Sequence, residues 1–291
     1  MLGPFVLVTL IWSSTWLVIR TQNAFVPSTW SVCWRFTLAA LGMAVVAAVR
    51  RESLAPTRAM LAMAVPLGLL QFAVNFQLVY RAEEHLTSGI VAVLYALLMV
   101  PNAVLARIFL GQRLSRGFLA GSAIAIAGIA MMLLHEFRMA PATAQVGLGL
   151  ACTLGGLSAA SASNVLQAAP RARALPMCAL LAWAMALGAL TDAILAFFVS
   201  GPPVLPADPR YLGGVAYLAL AGSVITFPLY FMLLRTMGAA RAAYNGVLVP
   251  VLAMVLSTAF EGYRWSLLTG AGAALAMAGL VVALRARSPS R

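Results

Sequence analysis

Apolar residues run through this chain in long blocks, broken by short connections that carry Arg, Pro or Gly. A helix of about 20 mainly apolar residues matches the hydrocarbon thickness of a bilayer. The pattern predicts ten such helices, over residues 3–22, 29–49, 59–80, 86–110, 116–135, 146–168, 176–199, 211–234, 240–260 and 266–285. The longest connection, SGPPVLPADPR (200–210), carries four prolines and cannot be helical throughout. The predicted fold class is all-α integral membrane. The N-terminus lacks a charged region and a small-residue cleavage site, so the first block reads as a spanning helix, not a removable signal.

Within the blocks, uncommon residues recur at one fixed distance. YALLMVP (95–101) and YNGVLVP (244–250) both read Tyr-x5-Pro, 149 positions apart. The same ungapped offset aligns Pro27 with Pro176, Trp34 with Trp183, Gly89 with Gly238, Gly121 with Gly270 and Gln112 with Glu261. The chain therefore reads as two five-helix repeats, residues 1–140 and 146–291. Five is odd, so the second repeat crosses in the opposite sense to the first, the inverted plan common among secondary transporters. Pro101 and Pro250 fall at matched places in the fourth and ninth blocks. An interior proline removes a backbone bond and crowds the preceding turn, costing about 3 kcal/mol. In a bundle, neighbouring helices or water re-satisfy the freed carbonyl. A matched pair predicts two kinked helices lining a cavity; simple tolerance of proline in spanning helices is the alternative.

Composition agrees with the pattern. Hydrophobic residues make up 63% and charged residues 9%, against about 25% charged in a soluble domain. Lys+Arg total 19 against 7 acids, and every cation is Arg. Such a basic balance often marks nucleic-acid binding, but here the arginines stand singly or in pairs between apolar runs, so the reading is a lipid bilayer and no nucleic acid. With the N-terminus cytoplasmic, 13 arginines fall at cytoplasmic ends (among them Arg50, Arg51, Arg58, Arg171 and Arg173) and 5 at the opposite ends. That positive-inside bias predicts both termini in the cytoplasm. Cys33, Cys152 and Cys178 lie in or at the ends of apolar runs and read as packing residues. There is no Walker A loop and no zinc-type cluster; no cofactor and no metal are expected.

Two ionisable residues fall deep in the blocks, where they are costly. Arg35 lies in the second block and Asp192 in the seventh, each about 10 Å below the outer surface at 1.5 Å rise per residue. They are expected to share the outer half of a central cavity. There Arg35 either pairs with Asp192, holds a substrate carboxylate, or snorkels to headgroups. Asp192 binds a substrate amine, takes a proton, or makes a structural hydrogen bond. The neutral candidates are Trp12, Ser13 and Ser14 in the first block, Gln71 and Asn75 in the third, and Tyr95 and Asn102 in the fourth. Asn164, Trp183, Tyr244 and Asn245 follow in the later blocks. Amides are too costly to face lipid, so these side chains either meet substrate or tie helices together. Small residues recur every four positions at Gly147, Ala151, Gly155, Ala159 and Ser163, at Gly117, Gly121 and Ala125, and at Gly270, Ala274 and Ala278. In the fifth and tenth blocks such a ridge is either an internal seam or the face of a homodimer.

Four stretches resemble the drug/metabolite transporter superfamily, specifically its EamA-type members: LIWSSTWLVIR (10–20), WRFTLAAL (34–41), FLGQRLS (109–115) and FEGYRWS (260–266). Gln112 stands where the family usually has Glu. The resemblance implies a secondary transporter of the bacterial inner membrane that exports small metabolites, often amino acids or related compounds, and is not an enzyme. An intramembrane enzyme or a membrane assembly protein is the competing class.

Overall fold

The computed structural model describes residues 2–111, 114–139, 145–237 and 245–286, and among them every regular element is helical. The first two helices are α1 (Leu2–Gln22) and α2 (Ser28–Val49). The third is composite: α3 (Arg58–Leu67), a π-helical segment (Gly68–Val74) and α4 (Asn75–Glu83). The fourth joins α5 (Ser88–Tyr95), a 3-10 turn (Ala96–Leu98) and α6 (Met99–Leu110). Then come α7 (Arg116–Met139), α8 (Val146–Ala168), the short α9 (Pro170–Arg173) and α10 (Met177–Ser200). The next helix is composite again: α11 (Pro209–Ala216), a π segment (Tyr217–Ile225) and α12 (Thr226–Met237). The last two are α13 (Asn245–Phe260) and α14 (Leu267–Arg285).

Described helix falls within each of the ten predicted blocks. Among the described residues eight stretches are long and apolar enough to cross a bilayer, while Leu248–Phe260 and Leu267–Ala283 are apolar but shorter. Helix starts carry local signals. Thr57 accepts from Met60 N at 3.2 Å, Asp208 from Arg210 N at 2.7 Å, and Ser266 from Thr269 N at 3.0 Å, each satisfying an amide that has no partner within its helix. Gly201, at φ +79°, closes α10.

The proline in the fourth helix acts as its chemistry predicts. Pro101 has no N–H for the carbonyl of residue 97, and the helix narrows to a 3-10 turn at Ala96–Leu98. Pro250 behaves differently, lying inside the unbroken helix α13. The two π segments were not foreseen. They begin at Gly68 and Tyr217, and 217 − 68 = 149, which is the offset that aligns the Tyr-x5-Pro motifs.

Helices α2 and α10 pack along each other, as do α7 and α14; α4 lies on α8, and α13 on both α1 and α5. The largest core cluster joins α2, the third helix, α10 and the second π segment through Phe36, Met43, Phe72, Tyr80, Met185 and Leu218. Backbones approach closely where side chains vanish. A Cβ at Gly128 would stand 2.5 Å from Gly272 O, and one at Gly279 would stand 2.6 Å from Gly121 O. The fifth-block ridge is therefore an internal seam on α14. In α14 the seam uses Gly272, Ala276, Gly279 and Ala283, a face displaced from Gly270, Ala274 and Ala278. In α8 the tight contacts are at Gly149, against Leu86, Gly155, against Leu78, and Gly156, against Tyr95, while Gly147 meets nothing.

Candidate functional site

A cavity of about 240 Å³ lies between the helices, lined by residues of both halves of the chain. α1 contributes Trp12, Thr15, Trp16 and Ile19, and α2 contributes Arg35. The third helix gives Gln71, Asn75, Phe76 and Val79, and the fourth gives Tyr95, Met99 and Asn102. Asn164 comes from α8, Gly222, Phe227 and Tyr230 from the eighth block, and Val249 and Pro250 from α13. Both π segments reach it, the first through Gln71 and the second through Gly222. Wide turns of this kind re-aim side chains and recur at functional sites.

Polar groups in the lining bond one another. Tyr95 donates its hydroxyl hydrogen to Asn75 Oδ1 at 2.7 Å, and Asn75 Nδ2 donates to Gln71 O at 3.3 Å. Asn164 Nδ2 donates to Asn102 Oδ1 at 3.3 Å. Aromatic rings pack among them. Trp12 donates to Thr226 Oγ1 at 3.0 Å, and its ring leans on Tyr230 at 4.9 Å between centroids. Trp16 leans on Tyr95 at 5.2 Å.

Seven of the sequence-predicted site residues therefore meet: Trp12, Arg35, Gln71, Asn75, Tyr95, Asn102 and Asn164, with Pro250 beside them. The others sit elsewhere. Ser13 donates to Thr9 O one turn back at 2.6 Å, and Ser14 bonds the Tyr217 hydroxyl at 2.6 Å. Trp183 donates to Leu54 O at 3.0 Å, in the core between α10 and the α2–α3 connection. Pro101 does not line the cavity. Tyr244 lies outside the described residues, as does the side chain of Asn245.

Asp192 is buried outside the lining. Its Oδ1 accepts from Gln77 Nε2 at 2.9 Å, and that amide also donates to Thr29 O at 3.3 Å. Arg35 turns the other way, toward Ser223 and Phe76. The two do not form an ion pair; among the described residues the ion pair is Arg81–Glu84, at 2.6 Å. Arg35 is only 2% exposed, too buried to snorkel.

At one end, beyond Ile19 and Val79, polar contacts join the two halves. Arg20 Nη1 donates to the carbonyl oxygens of Glu83 and Leu86, the latter at 2.9 Å. The Ser88 hydroxyl lies 2.8 Å from Glu83 Oε2 and 2.7 Å from Glu261 Oε1. Ser88 N donates to Glu261 Oε2 at 3.2 Å, and the Ser257 hydroxyl donates to the same carboxylate. This latch ties α1, α4 and α5 to the end of α13. Sequence reading placed its acids only at helix ends. It also passed over Trp16, Phe76, Phe227 and Tyr230, because an aromatic ring in an apolar run carries no mark of facing a cavity.

Comparison with known proteins agrees over nearly the whole chain. The EamA-like transporter family matches residues 3–134 and 147–285. Protein PagO of Salmonella typhimurium (strain LT2) is 23% identical, over 90% of this chain and 85% of that protein. The uncharacterized inner membrane transporter YedA of Escherichia coli (strain K12) is 28% identical, over 89% and 82%. A probable terminal-alkyne amino-acid exporter of Streptantibioticus cattleyicolor is 26% identical, over 95% and 91%. A solved crystal structure superposes with TM-score 0.70 at 18% identity, covering 96% of this chain and 94% of the other, which shows a shared fold. With matches filling both halves, the chain is a multi-pass membrane protein that belongs to the EamA-like transporter family.

Proposed function

We propose that this protein is a secondary transporter of the bacterial inner membrane that exports small amphipathic metabolites, such as amino acids or related compounds, by alternating access. The observation that carries the reading is the cavity itself, with polar groups and aromatic rings in its lining and walls from both halves of the chain. Sites of this kind lie near the midplane of carriers, at the interface between repeats.

Ten spans in two inverted five-helix repeats, 1–140 and 146–291, suit that mechanism. The matched π segments support the repeat independently of the sequence motifs, because a rare backbone form recurs at the offset of the Tyr-x5-Pro pair. The arginine bias supports cytoplasmic N- and C-termini. In that orientation the latch at Arg20, Glu83, Ser88 and Glu261 closes the outer end, and access alternates as it forms and breaks. A single chain supplies both halves of the cavity, and the small-residue seam of α7 is used internally, so transport needs no homodimer. The names of the relatives, an inner membrane transporter and an amino-acid exporter, fit the reading.

The test is exchange in liposomes. Purified protein is reconstituted and loaded with a panel of amino acids, acylated amino acids, nucleosides and organic cations, and labelled uptake against each is measured. Saturable exchange of one class supports a carrier. No exchange of any class by folded protein counts against it.

A further inference from the structure

One buried charge in the cavity has no counter-charge. Arg35 lines the cavity, is 2% exposed, and its Nη1 has no hydrogen-bond partner. Among the described residues no carboxylate comes within 4.0 Å of it. Ser223 Oγ is 3.4 Å from both Nε and Nη2, a long contact, and gives its own hydrogen to Leu218 O at 3.0 Å. The Tyr80 hydroxyl also interacts with Arg35, and it donates to Gln22 Oε1 at 3.2 Å, so it offers the guanidinium an acceptor but no carboxylate. Phe76 and Phe36 place ring faces 4.4 and 5.2 Å from the guanidinium carbon. Ring faces attract the charge but are poor acceptors for its N–H groups.

An unpaired buried cation costs several kcal/mol unless something answers it. Here the room for an answer is built in. At Gly222 a Cβ would stand 3.6 Å from Arg35 Nη2 and 3.0 Å from Thr15 Cγ2, so the missing side chain keeps the space beside the guanidinium clear. Across the first π segment, Gln71 Oε1 is also buried and without a partner. It is a neutral acceptor, suited to an uncharged N–H. No Asp or Glu lines the cavity among the described residues to receive an ammonium.

From these unmatched groups we infer that the cavity takes an amphipathic monocarboxylate bearing an uncharged N–H, of the kind an N-acylated amino acid presents. The carboxylate sits on Arg35 as a charge-assisted pair, the N–H faces Gln71, and the apolar body lies along Trp12 and Phe227. The inference rests on the carrier reading only in treating this cavity as the transport site.

The experiment is calorimetric binding to the purified protein in detergent, with N-acetylphenylalanine, phenylalanine, N-acetylphenylalaninamide and phenyl phosphate as probes. N-acetylphenylalanine is expected to bind most tightly, and phenylalanine, with its ammonium, and the uncharged N-acetylphenylalaninamide each at least about tenfold more weakly. Arg35→Gln should weaken N-acetylphenylalanine by roughly 10- to 100-fold, the worth of hydrogen bonds to a charged group, and should affect N-acetylphenylalaninamide much less. Arg35→Lys, which keeps the charge but loses the planar fork, should fall between. Equal affinity for acid and amide, no change in Arg35→Gln, or no binding by any probe overturns the inference. Tighter binding of phenyl phosphate overturns the carboxylate. If Arg35→Gln does not fold, the ranking of probes on the unmodified protein decides. Binding without exchange in liposomes leaves the anion seat standing and ends the carrier reading; exchange of N-acetylphenylalaninamide with no preference for acids does the reverse.

Discussion

Ser88 gives the sharpest test of the latch. Its hydroxyl lies 2.8 Å from Glu83 Oε2 and 2.7 Å from Glu261 Oε1, but it has one hydrogen and donates one bond at a time. Ser88→Ala removes that bond and keeps the backbone bond from Ser88 N to Glu261. A hydrogen bond to a charged acceptor is worth about 1.5–3 kcal/mol. When the halves part, the hydroxyl still has Glu83 Oε2 and Trp16 O as acceptors in its own half, so only what Glu261 adds to the bond falls on the latched arrangement. The latched-to-open ratio should drop by about tenfold, the low end of that range. The assay is chemical access. Val79 lines the cavity just inside the latch and is 1% exposed. A cysteine at Val79 is labelled with a membrane-impermeant maleimide supplied from the Glu83 side; Cys33, Cys152 and Cys178, all buried, set the blank. Labelling in Ser88→Ala should speed up by the same factor. A rate within twofold of the parent, with Glu261→Gln equally inert, refutes the reasoning.

Other expectations follow from the same contacts. Gly128→Ala forces a Cβ to 2.5 Å from Gly272 O and should destabilise by about 1–3 kcal/mol, read as a lower melting temperature; Gly213→Ala, with open space at its Cβ, should not. Tyr95→Phe strands Asn75 Oδ1 and should cost about 1–2 kcal/mol in stability or ligand affinity, measured by melting and calorimetry. Asp192→Asn keeps a partner in Gln77 through an amide flip, so cavity affinity should be unchanged, whereas a large loss contradicts its place outside the lining. Trp183→Phe loses the bond to Leu54 O and should lower melting slightly while leaving binding intact.

The helices and part of the cavity were legible because the physics there is local. Twenty apolar residues need a bilayer, and the amides Gln71, Asn75, Asn102 and Asn164 are costly enough in such runs to be driven inward. Arg35 stood out for the same reason. Ser13 was a poor guide because a hydroxyl can satisfy itself on the carbonyl one turn back, as it does on Thr9 O. Asp192 was expected in the cavity but meets Gln77 outside the lining: which side of α10 faces the cavity depends on how that helix packs on α2 and the third helix, and counting residues along the chain does not give it. The latch was not legible because Glu83, Ser88 and Glu261 meet only when helix ends distant in sequence are brought together.

The wide turns carry one more consequence. A π turn is how a helix stores a surplus residue, absorbing locally what would otherwise rotate everything downstream by about 100°. Gly68–Val74 and Tyr217–Ile225 hold such a surplus at the same place in each half. A one-residue insertion held by one half alone would have thrown the halves out of step from that point on. Held by both, it leaves no gap in the 149-residue register. On the proposed two-repeat plan each repeat therefore carries the same surplus, and deleting one residue from a single segment should turn α4 or α12 as a unit and carry the cavity side chains beyond it off their face.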